Sequence, residues 1–525
     1  MKRTKKALCA ALALSTLVGS GACSSGGGER ETAAETTAPA PTTTTTLVNE
    51  LDDVIDYANI AESGEISADH EEGTGPLYVA GQKAGLVKAL SYYDFTTDQP
   101  EISGLLAERY GGYLETEITT SGSAYFEKLN TMIASGDSPD LVRYDWEAFP
   151  SAMARNMYTA LDDWLDISSP LWADEADIIE QFSLLGKHYY FPQGAMPNLA
   201  VVYNRVVLEE AGLSDPMDLY ESGEWDWNKF EEMMEEWVEQ GDDYTGLRGA
   251  QWAAMMFINT TGTKFIGLEN GELINNMKDV NVQRTMTWLT DMFRDGLIGD
   301  GWIHPADAFI DGKTLFLVMG LTWGYESAQE GMWKNQLEAD IAVVLIPKDP
   351  QADRYYLPCD SVGYLVPAGA KNIQGGVDWI LCSRIFNTDP EFIAADRAEK
   401  LDTRPSYYAK CANCKYSFTE NGTDELDTCP ECDTPRREKF KATYSERQLN
   451  LIDDMLDPDK FELVYDGALG LGDDFADLIV NNGEEAILDG LLYHGTSYTT
   501  LRDTYYTVIE SYLDPYRKIL AGEKE

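Results

Sequence analysis

From residue 86 onward, apolar positions recur with two alternating periods. Leu86-Val87-Lys88-Ala89-Leu90-Ser91-Tyr92-Tyr93 predicts a strand, Ile102 to Tyr110 a helix, and Tyr113 to Ile118 a second strand. Tyr125, Leu129, Met132 and Ile133 then follow helical spacing up to Gly136. Pro139-Asp140-Leu141-Val142 predicts a short buried strand. Strand, helix, strand, helix, strand is the order of a parallel sheet with covering helices.

The pattern resumes further on. Leu199 to Tyr203 predicts a strand. Asp226 is placed to cap a helix whose Phe230, Met233, Trp237 stripe ends at Gly241. Asn281 to Phe293 predicts a helix; Thr314 to Met319, Ile341 to Ile346 and Ser361 to Val366 predict strands; and Gly375 to Phe386 predicts a helix. Phe475 to Ala521 is mostly helical, with Leu501, Tyr505, Ile509 and Leu513 four apart. No internal repeat is visible.

The N-terminal pattern is of another kind. Lys2, Arg3, Lys5 and Lys6 precede a short apolar run, Ala7 to Val18, and then Gly21-Ala22-Cys23. This resembles a bacterial lipoprotein signal, with Cys23 as the lipidated first residue. Ser20 departs from that pattern, which usually carries Leu there; an ordinary signal peptide with Cys23 unmodified is the alternative. Residues 32–46 are almost wholly Thr, Ala and Pro, a composition that cannot bury enough apolar surface to order itself. Residues 47–83 are acidic and turn-rich.

Composition narrows the partners. The 525 residues carry a formal net charge of −50, which excludes the basic footprint of a nucleic-acid binder. It also disfavours a module lying on an anionic membrane, and it mildly favours neutral or cationic ligands. The chain contains no His-x-x-Glu-His type cluster, no Gly-x-Ser-x-Gly elbow and no phosphate-cradling Gly-rich loop with Lys. A hydrolase using paired carboxylates has no specific support, because 90 acidic residues supply pairs anywhere. Cys359 and Cys382 lie in apolar surroundings, as buried thiols or as a disulfide.

The order of motifs resembles the extracellular solute-binding proteins of ABC importers, in the sugar-binding group typified by maltose-binding protein. The resemblance rests on Ala134-Ser135-Gly136-Asp137-Ser138-Pro139-Asp140-Leu141-Val142, Ala160-Leu161-Asp162-Asp163-Trp164-Leu165, and Gly186-Lys187-His188-Tyr189-Tyr190-Phe191-Pro192. It continues through Val202-Tyr203-Asn204-Arg205, Glu224-Trp225-Asp226-Trp227-Asn228-Lys229-Phe230 and Gly363-Tyr364-Leu365-Val366. It implies an α/β, two-lobe periplasmic-binding-protein-like fold with a hinge between the lobes. Ligand would be held in the cleft without bond-making chemistry, so the protein is not expected to be an enzyme. The implied division is a signal peptide at 1–22, lipidated Cys and tether at 23–46, and an acidic lead-in at 47–83. Lobe 1 follows at 84–195, lobe 2 at 196–360, a return to lobe 1 at 361–404, a four-cysteine insert at 405–440, and a C-terminal helical part at 441–525.

Along that pattern the candidate ligand-binding residues are Tyr93 and Asp94 at the end of the first strand, and Asp145 and Trp146 after the third. Trp252 and Trp323 are candidates on the second lobe, and Asp360 at the second hinge crossing. A saccharide needs flat rings for its C–H faces and side chains that accept and donate hydrogen bonds. Trp225, Trp227 and Trp237 fit a core better. The expected partners are a small carbohydrate ligand and ABC permease subunits, with membrane contact only through the anchor. The expected state is a monomer on the extracellular face of a bacterial membrane, with no organic cofactor. A ligand-presenting sensor or polysaccharide-adhesion lipoprotein is the alternative.

Cys411-x-x-Cys414 and Cys429-x-x-Cys432 are separated by fourteen residues. Four thiolates in two tight turns suit a tetrahedral metal. The stretch resembles a zinc ribbon or rubredoxin-like module, although Lys415 and Asp433 stand where that pattern usually has Gly. Structural zinc is expected; iron or disulfides are the alternatives.

Overall fold

The computed structural model describes residues 83–521, apart from 121, 198, 270–271, 300–311, 321–340, 402–427, 436–445, 456, 466–467 and 482–485. The signal, Cys23, the tether and the lead-in as far as residue 82 therefore lie outside the described residues, as do Trp323, Cys411 and Cys414.

The alternating first segment forms β1 (Gly85–Ser91), α1 (Pro100–Tyr110), β2 (Gly112–Ile118), α2 (Ser123–Ser135) and β3 (Leu141–Arg143). Gly136 ends α2 at φ +74°, a left-handed position where glycine carries no Cβ penalty. β4 (Phe191–Pro197) then runs into β5 (Ala200–Asn204). α3 (Trp227–Val238) starts at Asp226, whose Oδ1 accepts the Lys229 backbone N–H at 3.0 Å. There follow β6 (Thr245–Arg248), α4 (Ala250–Asn259), β7 (Ile266–Glu269), β8 (Glu272–Asn275), α5 (Val280–Arg294), β9 (Thr314–Met319), β10 (Ile341–Leu345), β11 (Tyr355–Leu365), α6 (Ile373–Thr388), β12 (Phe461–Tyr465) and α7 (Tyr498–Leu520).

Two larger sheets and the antiparallel β7-β8 pair organise these elements. The first has the order β12-β11-β3-β1-β2, with β4 also on β11; the second is β10-β5-β9-β6. In the first sheet β1 is parallel to both β2 and β3, and β11 is antiparallel to β3. Alternate side chains face opposite ways. Val87, Ala89 and Leu141 join a core with α1 and α6, whereas Leu90 and Val142 join a second core with α2. The second sheet is buried under α3, α4, α5 and the C-terminal Ile487–Leu513 region in a third core. This is a two-lobe α/β architecture.

Three crossings link the lobes. β4 and β5 belong to different sheets and are separated by two residues. β11 threads from one core into the others: Leu357 packs in the second lobe, Cys359 and Leu365 on one face of the first sheet, Tyr364 on its other face. β12 lies parallel to β11 from Tyr355 to Cys359. Cys359 and Cys382 are buried in separate cores and form no disulfide with each other.

Asp140 ties the first lobe together. It is 4% exposed; its Oδ2 accepts the Lys88 N–H at 3.0 Å, and its Oδ1 accepts those of Lys371 and Asn372 at 3.0 and 2.7 Å. One carboxylate thus joins β1, β3 and the approach to α6.

Candidate functional site

β1 is central, with β2 on one side and β3 on the other. The chain leaving β1 packs Phe95 and α1 on one face of the sheet, and the chain leaving β3 packs Ala148, Phe149 and Ala152 on the opposite face. The two loops therefore diverge at the carboxyl ends of β1 and β3 and leave a crevice there, the place where open α/β sheets bind ligands. Residues 92–94 and 143–147 form its rim.

The register puts Ala89 beside Leu141 and Leu90 beside Val142, so Ser91 and Arg143 end their strands side by side. Tyr364 of β11 pairs with Arg143 from the other edge. The Arg143 guanidinium carbon lies 5.2 and 5.3 Å from the ring centroids of Tyr92 and Tyr93, within cation–π range. Arg143 also donates from Nη1 to the Tyr92 hydroxyl. The Tyr125 hydroxyl donates to the Arg143 carbonyl at 2.9 Å, which fixes the end of the strand.

The acids of the crevice act on this group. Burial pushes the Tyr92 hydroxyl well above its ordinary pKa; the Arg143 charge opposes the rise, and Asp145, Tyr93 and Asp360 add to it. Asp360 sits on β11 opposite Met196 of β4, where the chain passes between lobes. Burial raises its carboxyl pKa, against a backbone hydrogen bond from Ser361 N (2.8 Å) and the attraction of Arg143. Beside it the Tyr190 hydroxyl donates to Ser361 Oγ.

Of the residues chosen from sequence, Tyr93, Asp145 and Asp360 come together around Arg143. Tyr93 is 8% exposed and packs edge-on against Phe95 at 5.1 Å, so it walls the crevice as part of the core. Asp94 takes a local role: its Oδ1 accepts from Thr96 N at 3.0 Å and Thr96 Oγ1 at 2.8 Å, capping a helical turn at Phe95–Asp98. Asp145 is 7% exposed and leads into a 3-10 turn at Trp146–Ala148. The backbone of Trp146 is in that turn and that of Trp252 is in the first turn of α4; their side chains and all of Trp323 lie outside the described residues. Trp225, Trp227 and Trp237 are core residues, and Trp227 stacks on Trp288 at 4.3 Å. Arg143 and Tyr92 were not among the sequence candidates. A charged residue inside the buried run of β3 is visible in sequence, but its place beside the Tyr-Tyr end of β1 follows from the strand order alone.

The lobes also meet away from these residues. Lys264 Nζ, just before β7, donates to Gln181 Oε1 of the first lobe at 2.8 Å. Phe149, Phe182, Ile266 and Leu268 line a small groove there, open to solvent.

Half of the four-cysteine motif is described. Cys429 is buried and Cys432 half-buried on one tight turn. Cys429 N donates to Thr434 O at 2.8 Å, Asp433 N donates to Cys429 O at 2.9 Å, and Asp433 takes φ +53° where the motif usually has Gly. Among the described residues no group of three or more His, Cys, Asp or Glu side chains converges as a metal site.

Two lobes, strands crossing between them and a polar, aromatic crevice at a switch point define a hinged binding protein. The profile of the bacterial extracellular solute-binding proteins matches residues 107–381, more than half of the chain, and the chain belongs to that family. The fold is similar to that of an ABC substrate-binding protein from Listeria monocytogenes in complex with cycloalternan. The identity is 14%, with 84% of this chain and 100% of that one covered at a TM-score of 0.54. It is also similar to the GacH receptor of Streptomyces glaucescens, solved unliganded and with acarbose (17%, 84% and 99%, 0.51). A third similar structure is UgpB from Mycobacterium tuberculosis in complex with glycerophosphocholine (15%, 82% and 99%, 0.52). No curated protein matches the chain in sequence. Among the described residues no helix is long and apolar enough to cross a membrane.

Proposed function

We propose that this protein captures a neutral sugar or oligosaccharide between its lobes and hands it to an ABC permease. The observation that carries the reading is the switch-point crevice, where tyrosine rings, an arginine and two aspartates converge beside the strand that crosses between lobes. Rings suit the C–H faces of a saccharide, and the charged groups suit its hydroxyls. Ligand touching both lobes would stabilise the closed form, and differential affinity between open and closed states is all that delivery requires. The similar structures solved with cycloalternan and acarbose support a saccharide; the one solved with glycerophosphocholine supplies the control.

The test is a thermal-shift panel of neutral mono- and oligosaccharides with glycerophosphocholine alongside. A ligand at a hundredfold its Kd stabilises the folded protein by about 2.7 kcal/mol, which such a scan resolves. Stabilisation by glycerophosphocholine and by no sugar would refute the sugar reading.

Cys23 carries a lipid that holds the protein at the outer face of the membrane; Cys23→Ser should release it or leave the precursor uncut, and unchanged membrane fractionation would refute this. Cys411, Cys414, Cys429 and Cys432 hold one structural zinc, which would lock the two turns of the insert to each other.

A further inference from the structure

Arg143 is 4% exposed, so folding has taken its guanidinium out of water. A charge in that position ordinarily meets a carboxylate, because an interior charge without a partner is strongly unfavourable. The chain follows this rule elsewhere. Arg384 lies on Asp174 and Glu175, and Arg284 grips Asp349 through two hydrogen bonds of 2.8 and 2.6 Å. Arg143 departs from it. Among the described residues it forms no ion pair, its one side-chain hydrogen bond goes from Nη1 to the Tyr92 hydroxyl, and Nε has no acceptor. The tyrosine rings hold the guanidinium in place without using that edge.

We infer that Arg143 is a specificity-determining residue of the crevice, donating through Nε and its neighbouring Nη to two adjacent oxygens of a vicinal diol on a neutral saccharide. The inference rests on the sugar reading of the site. A guanidinium has donors only, and its side edge matches two acceptors set close together. A vicinal diol and a carboxylate both offer such a pair; the local charge separates them. Asp145 and Asp360 are near enough for their charges to act on Arg143 or be acted on by it. They already supply the counter-charge that an acidic sugar would bring, so a ligand carboxylate would be a third anion in the crevice. A hydroxyl pair fits instead, each hydroxyl accepting from Arg143 and donating to an aspartate. Such mutual polarisation strengthens both bonds.

The test compares wild type with Arg143→Lys, which keeps the charge and loses the fork, and with Arg143→Gln. Each is titrated calorimetrically with maltose, mannobiose, β-1,6-galactobiose, glucuronate and galacturonate, and each is melted without ligand. The expected result is a neutral disaccharide whose affinity falls roughly ten- to hundredfold in both variants, the loss of a charge-assisted pair. Melting without ligand should stay within about 3 °C of wild type in Arg143→Lys, which keeps a cation on the tyrosine rings. A lysine variant that binds as tightly as wild type would overturn the fork. Tighter binding of a uronate than of any neutral sugar would overturn the diol. If none of the neutral sugars binds the wild type, the sugar reading itself has failed, and melting alone decides the arginine. A fall well beyond 3 °C in both variants would then make Arg143 a structural post and overturn the inference, while unchanged melting supports an edge that folding leaves unused.

Discussion

Replacing Asp140 by Asn changes one atom and should unbolt the first lobe. The carboxylate accepts three backbone N–H groups, from Lys88 at Oδ2 and from Lys371 and Asn372 at Oδ1. An amide can keep its oxygen on the Lys371–Asn372 pair. Its NH₂ then faces the Lys88 N–H, donor against donor. One charge-assisted bond is lost, a part-buried N–H is stranded, and two bonds fall from charged to neutral strength. Bonds to charged groups contribute about 1.5–3 kcal/mol each and neutral ones about 1. The expected loss is therefore about 3–4 kcal/mol. Urea unfolding followed by tryptophan fluorescence measures it: with an m-value of roughly 3 kcal/mol/M for a lobe of this size, the midpoint should drop by about 1 M. A midpoint within about 0.2 M of wild type would refute the clamp as a source of stability.

Gly376→Ala should destabilise despite removing a helix glycine. The propensity gain of up to about 1 kcal/mol is opposed by a Cβ placed 2.5 Å from the Asp140 carbonyl oxygen; an unchanged or raised melting temperature would contradict this. Asp360→Asn should stabilise the unliganded protein at neutral pH. The folded pKa of Asp360 is raised, so its ionisation lowers stability as pH climbs from the unfolded carboxylate pKa through the folded one; the advantage of Asn should disappear at pH below about 4. A pH-independent difference in melting between the two proteins would refute that sign. Metal analysis of purified protein should return about one zinc per chain, released when the four thiolates are protonated in acid or outcompeted by a chelator. Protein free of metal, with the thiols oxidised under anaerobic handling, would favour disulfides.

Much of the fold was legible because burial imposes period. Thr314–Met319 was predicted to the residue, and Asp226 was correctly read as a cap, since each depends on local chemistry alone. Of β4 the sequence showed only the start, Phe191-Pro192, through the resemblance to the strand pair at the hinge; Gly194 and Pro197 hid the rest, and among the described residues this strand pairs with β11 alone, which leaves room for prolines. β11 was predicted from Ser361 and begins at Tyr355, because Pro358 and Asp360 break its apolar run. β7 and β8 went unread although Asn270-Gly271 stands between them, the strongest short-range hairpin signal. The crevice was half legible. Strand ends could be located from pattern, which brought in Tyr93 and Asp145. Arg143 could not be singled out, because only the order of strands in the sheet reveals that β3 ends at a switch point.

The passage of β11 through both lobes has a consequence for how the chain is made. The first sheet needs β11 beside β3, and β12 beside β11, so it stays incomplete until residue 465 has been synthesised. The second lobe waits longer, for Leu501, Ile509 and Leu513 near the C-terminus. Neither lobe can close its core from a contiguous stretch, and pairings this distant in sequence form slowly. A nascent chain built this way remains unfolded through most of its synthesis. An unfolded chain fits a membrane pore that admits no folded domain, which suits the export proposed for it.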